Sequence, residues 1–241
     1  MSMSVEFSGI GKSYGGRRVL DGVTCSFRAG EISAVIGPNG SGKTTLLRIA
    51  ARLERPDAGE VAYSAGGETL QIGLPLMRKM TYVAQRPLMF RASVYNNLAY
   101  GLKQRGLPGE EVRRRVAGAL AAGGLTHLAH AQGPTLSGGE AQRAAIVRAT
   151  ALGADAVMLD EPASNLDPEG GVLMERLVLG MKQRGTTVVL VTHNLFQARR
   201  LADRVFFLYE GRLVESGAKE EFFAGPREEL TKKFLSGDVV Y

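Results

Sequence analysis

Residues Gly37-Pro38-Asn39-Gly40-Ser41-Gly42-Lys43-Thr44 spell Gly-x-x-x-x-Gly-Lys-[Ser/Thr], set between the apolar run Ile32 to Ile36 and the segment Thr45-Leu46-Leu47-Arg48-Ile49. Strand, loop and helix in that order are the context the pattern requires. Its glycines let backbone N–H groups turn inward onto phosphate oxygens, and the following helix presents its positive end to them. The chain is thereby committed to an α/β architecture with a ligand at one edge of a sheet. Residues 37 to 45 are the expected phosphate cradle, with Lys43 reaching the β- and γ-phosphates of a nucleoside triphosphate and the Thr44 hydroxyl holding Mg²⁺.

With 241 residues there is material for one large domain, or for one core with an inserted subdomain. The composition, 44% hydrophobic and 22% charged, is that of a globular chain and not a disordered one. Cys25 is the only cysteine. It cannot close an internal disulfide, suits a reducing compartment, and is expected as a buried structural thiol. No run approaches the roughly 18–20 consecutive apolar residues of a membrane span, and Met1-Ser2-Met3-Ser4-Val5-Glu6 lacks a basic region followed by an apolar one, so a cytoplasmic location is expected. The net charge of +6 is compatible with polyanionic ligands. It reads best as a solvated basic surface: Arg113-Arg114-Arg115 fall largely off the apolar stripe Val112, Val116 and Leu120. No nucleic-acid partner is expected.

Along residues 5 to 35, short apolar runs alternate with the turn signals Tyr14-Gly15-Gly16, Asp21-Gly22 and Ala29-Gly30, which predicts antiparallel strands and hairpins. Arg55-Pro56-Asp57-Ala58-Gly59-Glu60 should stop the helix after the phosphate loop, with strand resuming at Val61-Ala62-Tyr63. Met80 to Ala84 reads as a buried strand ending at Gln85. From 87 to 153 the period becomes helical, with Leu98, Leu102, Val112, Val116 and Leu120 as core positions of an inserted subdomain. Ala156-Val157-Met158-Leu159 and Thr187-Val188-Val189-Leu190-Val191 are continuous apolar runs of the kind found in a parallel sheet covered on both faces. The predicted fold is an α/β phosphate-loop core with a parallel sheet, an N-terminal antiparallel β subdomain and an inserted α-helical subdomain. The chain is one domain over 1–241, with the core in 1–86 and 154–215, helices in 87–153 and a tail in 216–241.

The strand Ala156–Leu159 runs into two adjacent carboxylates, Asp160 and Glu161. Such a strand buries its body and presents acids at its carboxyl end, where ligands bind in open α/β sheets. Asp160 suits Mg²⁺ ligation and Glu161 suits polarising an attacking water.

Leu136-Ser137-Gly138-Gly139-Glu140-Ala141-Gln142-Arg143 resembles the signature of the ATP-binding cassette (ABC) ATPases. Tyr14, Gln85, Ser164-Asn165-Leu166-Asp167 and His193 fall where that family places an adenine-stacking aromatic, a glutamine loop, an inter-subunit loop and a switch histidine. The resemblance spans residues 5 to 215. It implies that Tyr14 offers a ring face to adenine, that Gln85 reaches both Mg²⁺ and water, and that His193 donates to the γ-phosphate. It further implies that Ser137, Gly138 and Gly139, with Asp167, meet the ATP held by a second copy's Lys43 site, in a head-to-tail dimer with two-fold symmetry. Ser137-Gly138-Gly139 are expected to have no role in their own chain.

The implied function is an ATPase subunit, peripheral to the cytoplasmic face of a membrane, that powers separate integral permease subunits and, indirectly, a solute-binding protein. Arg86-Pro87-Leu88-Met89-Phe90 would touch the permease. A chromosome-maintenance or DNA-repair cassette would carry a long insertion between Gln85 and Ser137, and a translation-associated one usually carries two cassettes; neither pattern is present. Thr192 to Asp203 and Phe234-Leu235-Ser236-Gly237-Asp238 look most like cassettes of oxyanion importers, tungstate ahead of phosphate. An amino-acid importer or an exporter is the alternative. The stretch after Gly217 is too short for an appended regulatory domain, so direct sensing of cargo is not expected.

Overall fold

The computed structural model describes residues 2–238. Its first sheet is antiparallel, in the order β2-β1-β4-β5, with β1 (Met3–Tyr14), β2 (Arg17–Phe27), β4 (Ala58–Ala65) and β5 (Glu68–Thr69). Gly15 and Gly16, at φ +54° and +81°, join β1 to β2 as a two-residue hairpin turn that pairs Tyr14 with Arg17. Asp21-Gly22, expected as a turn, lies inside β2. There Gly22 adopts φ +66° where the β1–β2 register shifts between the Ile10–Val23 and Lys12–Leu20 pairs, so this glycine serves a bulge and not a reversal. The helix after the phosphate loop, α1 (Lys43–Ala50), stops before the expected breaker, and Ala58-Gly59-Glu60 already belong to β4. A Cβ on Gly59 would stand 2.4 Å from the carbonyl oxygens of Ser8 and Gly9, which is why strand can cross strand so closely only at glycine.

The second sheet has the order β10-β9-β3-β8-β7-β6. Its parallel part consists of β3 (Ile32–Ile36), β6 (Met80–Val83), β7 (Ala156–Asp160), β8 (Thr187–Val191) and β9 (Arg204–Tyr209), and β10 (Arg212–Ala218) closes one edge antiparallel to β9. β3, β7 and β8 are buried throughout. Their continuous apolar runs are needed because successive side chains serve opposite faces. Val157, Leu159, Val188 and Leu190 join one core with the helices, while Ala156, Met158, Val189 and Val191 join another with α1 and the antiparallel sheet.

On the first of those faces, α3 (Val94–Gln104), α4 (Gly109–Ala122) and α5 (Gly138–Leu152) pack together, with α6 (Pro168–Gln183) beside them. Leu98, Leu102, Val112, Val116 and Leu120 are all buried there, as their spacing predicts. Arg114 and Arg115 point off the stripe and pair with Glu111, whose carboxyl they hold down to about 2. Cys25 is only partly buried, against the antiparallel-sheet core, and that burial pushes its thiol up to about 12. The short α2 (Leu74–Met77) precedes β6. Among the described residues no helix is long and apolar enough to cross a membrane.

Beyond β10 the chain folds back as α8 (Lys219–Ala224) and α9 (Glu229–Ser236). With α7 (Leu195–Leu201) they cover Ala34, Ile36, Val205 and Phe207 as a third core. Residues 239–241 of the expected 216–241 tail lie outside the described residues. Phe234 of α9 stacks on Phe207 of β9, ring centroids 4.6 Å apart and 22° between planes. Phe234→Ala is expected to cost about 3 kcal/mol and to lower the melting temperature by on the order of 10 °C. A shift within 2 °C in a thermal scan would show that α9 does not hold this face.

Candidate functional site

Four neighbouring parallel strands end at one edge, and each delivers a piece of the site. β3 runs into the phosphate loop, β8 into His193, β7 into Asp160-Glu161 and β6 into Gln85. Their ends open on a cleft of about 910 Å³ lined by residues 38 to 45, Gln85, Glu161, His193 and Tyr14. Gly37, Asp160, Ser137, Gly138, Gly139 and Asp167 are not among its walls.

The phosphate loop keeps its shape because nothing larger than glycine fits at two of its positions. A Cβ on Gly37 would lie 2.0 Å from Leu208 O, and one on Gly42 would lie 2.7 Å from Val19 O. Gly40 and Gly42 take φ of +78° and +102°. Helix α1 starts at Gly42 with no side-chain cap and no acidic residue in its first turn, so its leading N–H groups and its positive end face the cleft. Ser41 Oγ is buried and unpartnered among the described residues. A ligand bearing several anionic oxygens fits such a cradle.

Lys43 Nζ donates to the carbonyls of Gly37 and Pro38, both at 2.8 Å, which leaves one ammonium proton for a ligand. Burial pulls its pKa down, against the opposing charges of Glu161 and Asp160. Thr44 Oγ1 donates to Asp160 Oδ1 at 3.1 Å, and the Tyr82 hydroxyl donates to Asp160 Oδ2 at 2.8 Å. Burial first, and Asp160 second, push the Tyr82 phenol up to about 12, so it remains a donor. Hydroxyl and carboxylate oxygens side by side are the hard donors Mg²⁺ takes. No group of three or more His, Cys, Asp or Glu able to hold a metal occurs among the described residues.

Glu161 is a nearly buried carboxylate held at φ +47°, a left-handed backbone that a glutamate rarely adopts. Its N–H bonds Val191 O of β8 at 3.0 Å and its carbonyl accepts from Ser164 Oγ at 3.0 Å, which fixes the strained turn that leads from β7 toward α6. His193 Nδ1 lies 2.9 Å from Glu161 Oε2. A proton placed on Nδ1 for this contact leaves Nε2 of the neutral ring an acceptor. Donation from Nε2 to phosphate therefore calls for the doubly protonated ring, or for the ring to release Glu161. Tyr14 is half-exposed at the far end of the cleft; its hydroxyl donates to Glu54, and the Lys12 ammonium sits 5.5 Å from the ring centroid.

Ser137 does have a role in its own chain, contrary to the sequence reading. It N-caps α5 in a reciprocal box, its Oγ accepting from Glu140 N while Glu140 Oε2 accepts from Ser137 N at 2.8 Å. Asp167 likewise caps α6, accepting from Gly170 N at 2.7 Å. The sequence reading missed Tyr82 behind Asp160, and it missed the cleft walls supplied by Arg17, Arg18 and Val19 of β2 and by the β9–β10 turn Tyr209-Glu210-Gly211. The only signal for that turn is a Glu-Gly pair between two apolar runs.

A protein-family model described as "ABC transporter" matches residues 20–164. The phosphate import ATP-binding protein PstB 2 of Natronomonas pharaonis is 37% identical over 246 residues, covering 97% of this chain and 87% of that one. The tungstate uptake system ATP-binding protein TupC of Peptoclostridium acidaminophilum is 38% identical, covering 89% and 98%. The methionine import ATP-binding protein MetN of Caulobacter vibrioides is also 38% identical, covering 98% and 74%. Among solved structures, the dimeric post-hydrolysis state of the ATP-binding cassette MJ0796 bound to ADP and Pi superposes with a TM-score of 0.80 at 27% identity, covering 89% of this chain and 98% of that one. With the phosphate loop, the strand-end carboxylates and the helical insert all in place, this chain belongs to the ABC transporter family, as an ATP-hydrolysing cassette.

Proposed function

We propose that this cassette powers uptake of a tetrahedral oxyanion, tungstate ahead of phosphate, by hydrolysing ATP against separate permease subunits on the cytoplasmic face of a membrane. The observation that supports the ATPase chemistry is the convergence of the phosphate loop, Glu161 and His193 on one cleft, with Asp160 bonded to Thr44 just behind its wall. Residues 37 to 45 hold the triphosphate, with Lys43 contacting its β- and γ-phosphates. Thr44, Asp160 and Gln85 are the residues that would hold Mg²⁺, which when bound neutralises charge on the phosphate oxygens. Glu161 orients and polarises the attacking water, and His193 senses the γ-phosphate. Tyr14 stacks on adenine. The core is assigned to residues 1–86 and 154–215 and the helical arm to 87–153; of the expected 216–241 tail, Ser216 to Ala218 complete β10 and so belong with the core sheet.

Glu161→Gln is expected to bind ATP normally and to lose turnover by at least about 100-fold. Lys43→Ala is expected to weaken ATP binding itself. Near-normal turnover in the first variant, or equal ATP affinity in the two, measured by phosphate release and calorimetry, contradicts these roles.

Ser137 to Gly139 stand outside their own cleft, which supports a dimer in which they reach the ATP of a second copy. ATP binding closes the dimer and hydrolysis lets it open, so the differential affinity for the closed state supplies the work. In the Glu161→Gln background, MgATP should convert monomer to dimer in sedimentation. Ser137→Arg should abolish the shift by adding bulk and charge against phosphate. Because Arg also removes the α5 cap, Ser137→Asp, which keeps a capping oxygen but sets negative charge against phosphate, should abolish it too. A dimer that persists in both variants contradicts the arrangement.

For cargo, the support is the phosphate and tungstate import named for two relatives. A second reading, amino-acid import, is favoured by the methionine import protein at 38% identity over 98% of this chain. With the cognate permease and binding protein reconstituted, tungstate or phosphate should stimulate ATP turnover. Stimulation by an amino acid and by neither oxyanion would overturn the oxyanion reading and leave the ATPase intact.

A further inference from the structure

Two charges of opposite sign at the hairpin end of the cleft have no part in the chemistry above. Arg17 lines the cleft directly across the β1–β2 turn from Tyr14. Glu210 lines it from the β9–β10 turn. Arg18, next to Arg17 in β2, is tied to Asp21 at 2.7 Å, and Asp21 is bound again by Arg212 at 2.6 Å, whereas neither Arg17 nor Glu210 has an ion pair among the described residues.

Glu210 is also strained. Its φ is +45°, so the turn would be more comfortable with glycine or asparagine there. The turn is bolted on both sides: Gly211 N donates to Ser41 O of the phosphate loop at 3.1 Å, and Gly211 O accepts from Asp21 N of β2 at 2.9 Å. Glu210 thus lines the same cleft as Ser41 and Tyr14, from a turn hydrogen-bonded directly to the phosphate loop. In a nucleotide with its phosphates on that loop and its base on Tyr14, the part between them is the ribose. A carboxylate there would repel phosphate, and it is an acceptor only. The donors a nucleotide offers at that point are its ribose hydroxyls.

We propose that Glu210 is a specificity residue that accepts hydrogen bonds from the 2′- and 3′-hydroxyls of the bound nucleotide, with Arg17 across the mouth balancing its charge. This rests on the reading of the cleft as the ATP site. It gives the strained glutamate a function: it is held where glycine would fold more easily because its carboxylate is needed.

The test compares ATP with 2′,3′-dideoxy-ATP by calorimetry, in the full chain carrying Glu161→Gln to prevent turnover. ATP should bind about tenfold more tightly than the dideoxy analogue, as expected for loss of a hydrogen bond to a charged group. In Glu210→Gly, which removes the carboxylate and suits the left-handed φ, ATP affinity should fall to that of the analogue, the analogue's affinity should stay unchanged, and the melting temperature should hold or rise. If ATP and the analogue bind equally before Glu210 is changed, or if Glu210→Gly weakens both alike or leaves the preference intact, the assignment is overturned. If neither nucleotide binds, the ATP-site reading itself fails.

Discussion

The shape of the site depends on the contact between the phosphate loop and the strands behind it. Leu208 O and Val19 O stand where Cβ atoms of Gly37 and Gly42 would be, so the loop lies pressed between β9 and β2 with no room for a side chain at either glycine. That pressure forces the left-handed turn at Gly42 and starts α1 uncapped, with its N–H groups aimed into the cleft. It also makes the two hairpins part of the site, since β2 starts at Arg17, paired with Tyr14 of β1, and β9 ends at the turn that holds Glu210.

Around that contact the parallel sheet supplies alignment. Because β3, β8, β7 and β6 run in one direction, their carboxyl ends coincide, and residues as far apart in sequence as Lys43, Gln85, Glu161 and His193 meet at one edge. Each strand-end carboxylate is braced from behind. Asp160 is held by Thr44 and Tyr82, and Glu161 by Val191 and Ser164. The turn at Glu161 stores backbone strain that the buried strands on either side can hold, which fits a side chain whose orientation matters more than its comfort.

Much of this is legible in the sequence, because its signals are local. The phosphate loop between strand and helix, the apolar run ending in Asp160-Glu161, and the helical spacing of Leu98 to Leu120 each need only a short window. What the sequence conceals is non-local. Asp21-Gly22 has the composition of a turn, and only pairing with β1 shows it to be a bulge. Tyr82 gains its place behind Asp160 from the β6–β7 pairing. Glu210 enters the cleft through the folding of β10 onto β9, nearly the whole chain away from Tyr14. Ser137 carries two signals in the same four residues, the family signature that points to a second copy and the Ser-x-x-Glu capping box that serves its own helix.

In the proposed dimer one chain holds half of two sites, its cleft being completed by the α5 N-terminus of another copy. The most direct measurement uses two single-cysteine proteins in a Cys25→Ser background, one with Asn39→Cys in the phosphate loop and the other with Ser137→Cys, mixed under oxidising conditions and resolved by denaturing electrophoresis. Since neither protein has both cysteines, a bond between loop and α5 must join two chains. A covalent dimer between the two proteins is expected in the presence of ATP and should be largely absent without it. No cross-link with saturating ATP bound, or one equally strong without nucleotide, would contradict it.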